Sequence, residues 1–244
     1  MADVYDEMLA ILQDLFSDRI STQEAVRDLA STTLSVDPPQ YGLYNLWSVI
    51  VTCACESSGY HDKIVELLVQ LSKLPSEDIL ILYDMQIWKD LPTLGWALRD
   101  HRQSVISKII NRDKFTALLM ATEEPVFVYL WFTMFTLRDA LEIPIGQLLL
   151  THPLEAIPSA AIWISTLGVG IYKWDTDLSG YPGIAPGRGG PLWKGKHGFF
   201  KERWQLWRKR FGEVARMGEI GDEARKAARE AEQMMLEIEN GEIE

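Results

Sequence analysis

Cysteine is scarce in this chain: 244 residues carry two, at positions 53 and 55. That excludes a disulfide-stapled scaffold, which relies on several bridges to offset a small core. Cys53 and Cys55 stand two apart on an expected helix, roughly 200° around its axis, so they cannot bond to each other. They read as a buried thiol pair; a thiol nucleophile or half of a metal site are the alternatives. Reducing surroundings, the cytosol or the nucleus, are expected. Basic charge is also short, with 24 Lys+Arg against 35 Asp+Glu and a formal net charge of −11. Phosphate backbones are gripped by basic surfaces, so nucleic acid is not expected as a partner. With 47% hydrophobic and 24% charged residues, a largely disordered chain is excluded as well.

Long apolar runs are few. Residues 126–135, VFVYLWFTMF, are too short to cross hydrocarbon at about 1.5 Å per residue. Residues 156–172 carry no charge, but they are marginal in length and hold Pro158, Ser159, Ser165 and Thr166. Both read as buried central helices, and no membrane partner is expected. The first residues, MADVYDEMLAILQDLF, are acidic and amphipathic, without the positive start and unbroken apolar stretch of a secretory signal.

Motifs of catalysis are missing too. His61, His101, His152 and His197 are scattered, with no HExxH, and no serine sits in a G-x-S-x-G context. Gly190 to Lys196 matches G-x-x-x-x-G-K, yet His197 stands where a phosphate loop needs Ser or Thr for Mg²⁺. Pro191 removes one N–H from such a cradle, and no strand precedes it. Asp175 and Asp177 form a D-x-D without a third ligand, read as solvated loop acids. No Asp-Asp-x-x-Asp run supports a terpene-cyclase-like enzyme. No metal and no cofactor are expected.

What is present is helical periodicity. Val4, Met8, Ile11, Leu12, Leu15 and Phe16 form one stripe. Ser21 and Glu24 make a capping box, and Asp37–Pro38 reads as an N-cap followed by the first helical residue. From there to about Ser58 the chain is apolar nearly all round. Ile64, Leu67, Leu68, Leu71 and Leu74 mark the next helix, ended by Pro75, with Ser76 opening another. Asp90 and Pro92 open a helix through Trp96. Further helices are expected near 104–121, 125–141, 145–151 and 158–174, punctuated by Pro125, Pro144, Pro153 and Pro158. No alternating strand and no dinucleotide-type βαβ unit is found. The fold class is therefore all-α, about ten helices in one domain.

Residues 175–198 hold seven Gly and three Pro in 24 positions, an extended loop. Tyr181, Leu192 and Trp193 favour an ordered loop laid over the body; disorder is the alternative. Beyond it, Phe200, Trp204, Trp207, Phe211 and Val214 recur at spacings of 4, 3, 4 and 3, a single seam. Ile220, Ala224, Ala227, Ala231, Met234 and Ile238 form a thinner one. This reading gives a helical domain over 1–216, with the loop at 175–198 and a basic aromatic helix at 199–216. An acidic helix over 217–244 then either docks on the domain or pairs two chains as a homodimer through 219–240.

Ala160, Ala161, Trp163 and Ile164, then Gly168, Ile171 and Tyr172, lead to the Gly190–Lys196 element and to Arg203, Trp204, Trp207, Arg210 and Phe211. This succession resembles a family of fungal proteins known only as a domain of unknown function, in which an Ala-Ala-x-Trp-Ile helix precedes a Gly-Pro-Leu-Trp-x-Gly-Lys loop and an Arg-Trp-x-x-Trp helix. The segment WKDLPTLGW, Trp88 to Trp96, looks like the family's Leu-Pro turn. The resemblance spans roughly 40–215 and is most specific over 160–211. It implies a helical fold and a fungal source and carries no chemistry, since no catalytic residue is assigned across that family.

Charge is unevenly placed. Residues 1–187 sum to −12, residues 188–216 to +7 and residues 217–244 to −6. Four of the nine Trp, at 174, 193, 204 and 207, crowd the basic strip. Trp faces and Arg forks there suit a small apolar or anionic ligand. The alternative is that the helix docks by its aromatic seam, with Arg203 and Arg210 buried and paired. The expected binding residues are Trp163, Trp174, Trp193, Lys196, Arg203, Trp207 and Arg210. Function is then small-ligand binding or a non-catalytic interaction. The runner-up is a cofactor-independent cyclase or isomerase of fungal secondary metabolism, with Tyr172, Asp175, Asp177 and His197 as weak acid–base candidates.

Overall fold

The computed structural model describes residues 2–75, 81–101, 106–148, 153–180 and 187–243. Almost all of the regular structure is helical, so the all-α class holds. The backbone clusters into two compact units, residues 1–128 and 129–244.

In the amino-terminal unit, α1 (Ala2–Phe16) and α2 (Thr22–Leu34) pack on each other and on α3 (Pro39–Glu56). The Ser21 side chain accepts from the Glu24 N–H while the Glu24 carboxylate accepts from the Ser21 N–H, so the expected capping box opens α2. The start of α3 is one residue later than the Asp37–Pro38 reading. Pro38 occupies the N-cap and Pro39 the first helical position, where its missing N–H costs nothing. α3 is the centre of this unit: Leu43, Leu46, Trp47, Ile50, Val51 and Ala54 are all buried. Around it stand α4 (His61–Ser72), α6 (Leu94–Asp100) and α7 (Ile106–Ala121).

Between α4 and α6 lie a two-residue ladder, β1 (Ile81–Leu82) against β2 (Met85–Gln86), and one turn of helix, α5 (Ile87–Asp90). Asp90 does not open the helix through Trp96. Its carboxylate accepts from the Gln86 N–H at 2.7 Å, capping α5. The backbone then passes through left-handed conformations at Leu91 and Thr93 before α6 begins. The helix expected from Ser76 falls on residues 76–80, outside the described ones.

The carboxy-terminal unit holds α8 (Leu130–Leu141), α9 (Ile145–Leu148), α10 (Pro153–Lys173), α11 (Lys201–Ala215) and α12 (Asp222–Glu239). The single helix expected over 125–141 is broken: Pro125–Phe127 is one 3-10 turn, and the helix restarts at Leu130. α10 starts five residues ahead of the expected Pro158, which lies inside it. Pro158 is the sixth helical residue, past the first turn, so it leaves one intrahelical N–H bond of α10 unmade. α10 packs against α8 and α12, and α12 also packs on α11. The seam of α12 is buried at Ile220, Ala224, Ala228, Ala231, Met235 and Ile238. Ala228 and Met235 thus replace the expected Ala227 and Met234, because a helix seated on two neighbours follows the 3.6-residue period rather than a coiled-coil heptad. No helix among the described residues is long and apolar enough to cross a membrane.

Candidate functional site

α11 is an aromatic seam with arginines set into it. Trp204, Trp207, Phe211 and Val214 are buried at the expected spacing. Arg203 and Arg210, one heptad apart, are buried with them. A buried guanidinium must satisfy its donors, and Arg203 uses all five. Its Nε donates to Glu142 Oε1 at 2.6 Å and its Nη2 to Glu142 Oε2 at 3.1 Å. Nη1 donates to the carbonyls of Gly187 and Gly198 at 2.7 and 2.8 Å, and Nη2 also to Arg188 O at 3.4 Å. The guanidinium lies 5.5 Å from the ring centres of Trp193 and Trp207.

Glu142 is as deeply buried as its partner, both side chains having 0% exposure. Its carboxylate also accepts from Trp207 Nε1 at 2.8 Å and from the Gly190 N–H at 2.7 Å. The residues on either side of it are held by Arg210, whose Nε donates to Leu141 O at 3.0 Å and whose Nη2 donates to Ile143 O at 3.0 Å. Arg210 also pairs with Glu213. So α11 grips three consecutive residues at the end of α8, where helical carbonyls lack partners within the helix.

The same bonds fix the described parts of the Gly-rich segment. Thr176–Asp177 (β3) pairs antiparallel with Gly198–Phe199 (β4), and the Leu192 N–H donates to Glu142 O at 2.9 Å. Two glycines are required by geometry. A Cβ on Gly190 would lie 2.8 Å from both the Cβ and the carbonyl oxygen of Glu142. Gly198 has φ of +129°, and a Cβ there would meet Thr176 O at 1.9 Å. The phosphate-loop likeness fails on this ground: the Gly190 N–H already serves a carboxylate, the wrong sign of partner for an anion cradle. Residues 181–186, including Tyr181, lie outside the described ones.

A cleft of about 540 Å³ opens beside this lock, walled by Trp174, Trp193 and Phe200, with Asp175, Lys196, Lys201 and Glu202 on its edges. Trp193 is held by its Nε1, which donates to Lys196 O at 2.8 Å. Trp174 packs edge-on against Phe199 with 4.9 Å between ring centres. The Lys196 ammonium stands 5.6 Å from the Phe200 ring centre. The Lys201 ammonium lies over the Tyr172 ring and donates to Tyr172 O, and burial pulls its pKa below the ordinary lysine value.

Of the expected binding residues, Trp174, Trp193 and Lys196 come together at this cleft. Arg203, Trp207 and Arg210 are in the lock behind it. Trp163 is fully buried within α10, its Nε1 without a hydrogen-bond partner. Of the acid–base candidates only Asp175 lines the cleft. Asp177 accepts from Ser179 N and Oγ, which holds its carboxyl below the usual range. His197 contributes its carbonyl to the Leu178 N–H, and the Tyr172 ring packs on Trp204 at 5.2 Å and under Lys201. His152 lies outside the described residues. Among the described residues no group of three His, Cys, Asp or Glu is placed to hold a metal ion.

Sequence reasoning missed Glu142, Lys201 and Glu202, and Phe200, expected in the buried seam, is half-buried and lines the cleft instead. A signal for Glu142 existed: two arginines on a buried seam demand an acceptor, and a carboxylate is the best one.

A family model, described only as a protein of unknown function (DUF3632), matches residues 47–211. The chain belongs to this family. The DUF3632 match ends at Phe211 and includes both Glu142 and Arg203 along with the whole cleft, while all of α12 lies beyond it. No curated protein and no solved structure matches the chain.

Proposed function

We propose that this protein binds a small ligand, and that the cleft beside Trp174 and Trp193 takes a flat, anionic molecule. The observation that carries this reading is the meeting of two half-buried Trp side chains with Lys196 and Lys201 on a wall pinned by the buried Glu142–Arg203 pair. Indole faces supply stacking area, and the two ammonium groups supply charge without fixing a reaction. Because the wall is bonded in place, little ordering would oppose binding. Asp175 and Glu202 on the same rim repel a second anionic end, which favours a monoanion.

The competing reading, a cyclase or isomerase of fungal secondary metabolism, requires polar groups converging on a substrate. Only Asp175 of its four candidates reaches the cleft, so binding is the better supported of the two. The motif resemblance over 160–211 and the two free buried thiols favour a fungal protein of the cytosol or nucleus.

Saturation-transfer NMR on the full chain with 2-naphthoate and its neutral counterpart 2-naphthamide tests the proposal. Saturable binding of 2-naphthoate, weakened about tenfold by Trp193→Ala and by Lys196→Met, is expected. Equal signals for acid and amide, or indifference to both substitutions, would overturn it.

A further inference from the structure

The amino-terminal unit carries a second cleft, of about 570 Å³, inside the size range of small-ligand sites. One stripe of α3 lines it: Tyr41, Tyr44, Asn45 and Ser48 stand at i, i+3, i+4 and i+7 on a helix otherwise almost wholly buried from Gly42 to Cys55. Trp96 on α6 and Tyr83 in the β1–β2 turn add two more rings. The four rings are exposed, from 49% at Trp96 to 70% at Tyr44. Large aromatics left this open in one concave place are not explained by folding. Trp47, also a lining residue, is fully engaged, its Nε1 donating to Pro92 O at 2.8 Å.

Among these rings stands a polar group without a partner. Asn45 is only 9% exposed, yet its side chain makes no hydrogen bond to any described residue. A buried amide normally finds partners, because leaving it unpaired costs stability. Fully sealed side-chain polar atoms without partners belong, among the described residues, to His61, Ser159 and Trp163, so the Asn45 amide looks onto the cleft it lines. It offers two donors and one acceptor in a plane. Gln40 and Ser48 bring a second amide and a hydroxyl to the same cleft, and neither side chain is bonded to a described residue.

Two of the walls are held by backbone that their residues do not favour. Tyr83 has φ of +56° and Thr93 of +68°, and both line the cleft. Bulky Tyr and β-branched Thr are poor choices for the left-handed region, and such strain gathers at ligand sites. The Tyr83 and Trp96 rings stand with centres 5.6 Å apart and planes tilted by 48°. Planes at that angle make no parallel slot for a flat nucleobase; they form an open V that suits a puckered ring. Residues 1–128 hold ten Lys+Arg against nineteen Asp+Glu, a field that repels phosphorylated ligands.

We infer that this cleft binds a neutral oligosaccharide. The C–H bonds on the faces of a pyranose pack on the negative faces of the aromatic rings, while its hydroxyls meet Asn45, Gln40 and Ser48. Two neighbouring hydroxyls satisfy the Asn45 amide together, one accepting from its nitrogen and one donating to its oxygen. A pyranose has two faces, so four exposed rings call for more than one sugar unit. β-Linked glucose units, with every substituent equatorial, carry axial C–H bonds on both faces and suit these walls best.

The test is a titration of the full chain with cellotriose, followed on the indole N–H resonance of Trp96. Sorbitol, which has the hydroxyls without a stiff C–H face, and 9-methyladenine, a flat base without hydroxyls, are the comparisons. Saturable cellotriose binding, about tenfold or more tighter than either, is expected. Tyr44→Ala should weaken it several-fold with an unchanged melting temperature, since that residue is 70% exposed. Asn45→Leu separates a ligand role from a fold role. It should weaken cellotriose binding about tenfold and leave the melting temperature equal or higher, because the amide it removes is unpaired. Trp193→Ala in the other unit should leave cellotriose binding as it was. No saturable binding, equal affinity for sorbitol or 9-methyladenine, or cellotriose binding unaffected by Tyr44→Ala and Asn45→Leu would overturn the inference. So would a melting temperature several degrees lower in Asn45→Leu, which would assign the amide to the fold.

Discussion

Glu142 and Arg203 are 61 positions apart in the chain, and both are wholly shielded from solvent as a two-point ion pair. Such a pair is a costly way to stabilise a core, because desolvating both charges offsets much of their attraction. Its value here is positional. The carboxylate also takes the Trp207 and Gly190 N–H groups, and the guanidinium takes carbonyls of Gly187, Arg188 and Gly198. One pair therefore joins the end of α8, the face of α11 and both described flanks of the Gly-rich segment.

Glu142→Gln should destabilise the protein by about 3–5 kcal/mol, since it leaves the Arg203 charge buried and uncompensated. Thermal unfolding should show a fall in Tm of about 10 °C or more. Adding Arg203→Met to Glu142→Gln should recover only part of that loss. Replacing both ions removes the charge imbalance, but the Gln amide has one acceptor oxygen for the Trp207 and Gly190 N–H groups, and three loop carbonyls lose the guanidinium. A double variant as stable as the natural chain would show that the pair does not organise the segment.

Gly190→Ala and Gly198→Ala should each lower stability, for different reasons. At Gly190 the added methyl presses on Glu142 at 2.8 Å, and at Gly198 it combines a 1.9 Å clash with unfavourable φ. Gly218→Ala is the control: nothing lies within 4 Å of its would-be Cβ. Circular dichroism melts of the three variants separate these cases, and Gly218→Ala should be neutral within about 0.5 kcal/mol.

How far the sequence revealed this arrangement depended on whether the signal was local. The seam of α11 was legible because 4-3-4-3 spacing of large aromatics admits one helical face. The burial of Arg203 and Arg210 followed from their place beside that seam. The α12 seam was read one residue off at two positions, because Ala at 227 and 228 and Met at 234 and 235 offer no contrast between adjacent faces. Glu142 carried no local mark: it follows α8 like any surface acid, and only its partner 61 residues later explains it. The exposed aromatics of the amino-terminal unit were unreadable for another reason. Tyr41, Tyr44, Tyr83 and Trp96 come from three elements, brought together by left-handed turns at Leu91 and Thr93 that no glycine announces.

Cys53 and Cys55 should be inert in the folded protein. Burial, with Glu56 nearby, pushes the Cys53 thiol up to about 11, and burial above all pushes Cys55 to about 12. At pH 8 almost none of either is thiolate, the reactive form. A thiol-specific chromogenic reagent should find no rapidly reacting group in native protein and two in denaturant. Fast native labelling of either would contradict its burial.

Stability should fall as pH drops below 6.5. Burial lowers the pKa of His61, whose Nε2 bonds to Ala54 O at 2.9 Å, and of His101, both from the ordinary value of 6.5. With the folded value below the unfolded one, the unfolded chain binds protons first as pH falls. This contribution is fully present above 6.5 and is lost progressively below it. Melting temperatures at pH 7.5 and 5.5 should differ accordingly, and His61→Gln should reduce the difference. A Tm independent of pH across this range would mean that neither imidazole is held neutral by burial.

Trp204 and Trp193 provide a matched pair of truncations that distinguishes core from binding surface. Trp204 is 2% exposed, packs on Tyr172, and donates its Nε1 to Glu239 Oε1 at 2.9 Å, tying α11 to α12. Trp204→Ala should cost about 3–5 kcal/mol, as other large-to-small core changes do. Trp193 is half-buried and faces the cleft, with one hydrogen bond to a neighbouring carbonyl. Its removal should cost much less stability yet abolish most 2-naphthoate binding. Measured together, the two variants separate a fold effect from a ligand effect: if Trp193→Ala proved as destabilising as Trp204→Ala, the Trp193 wall would be core, and the cleft would lose its claim to be a binding surface.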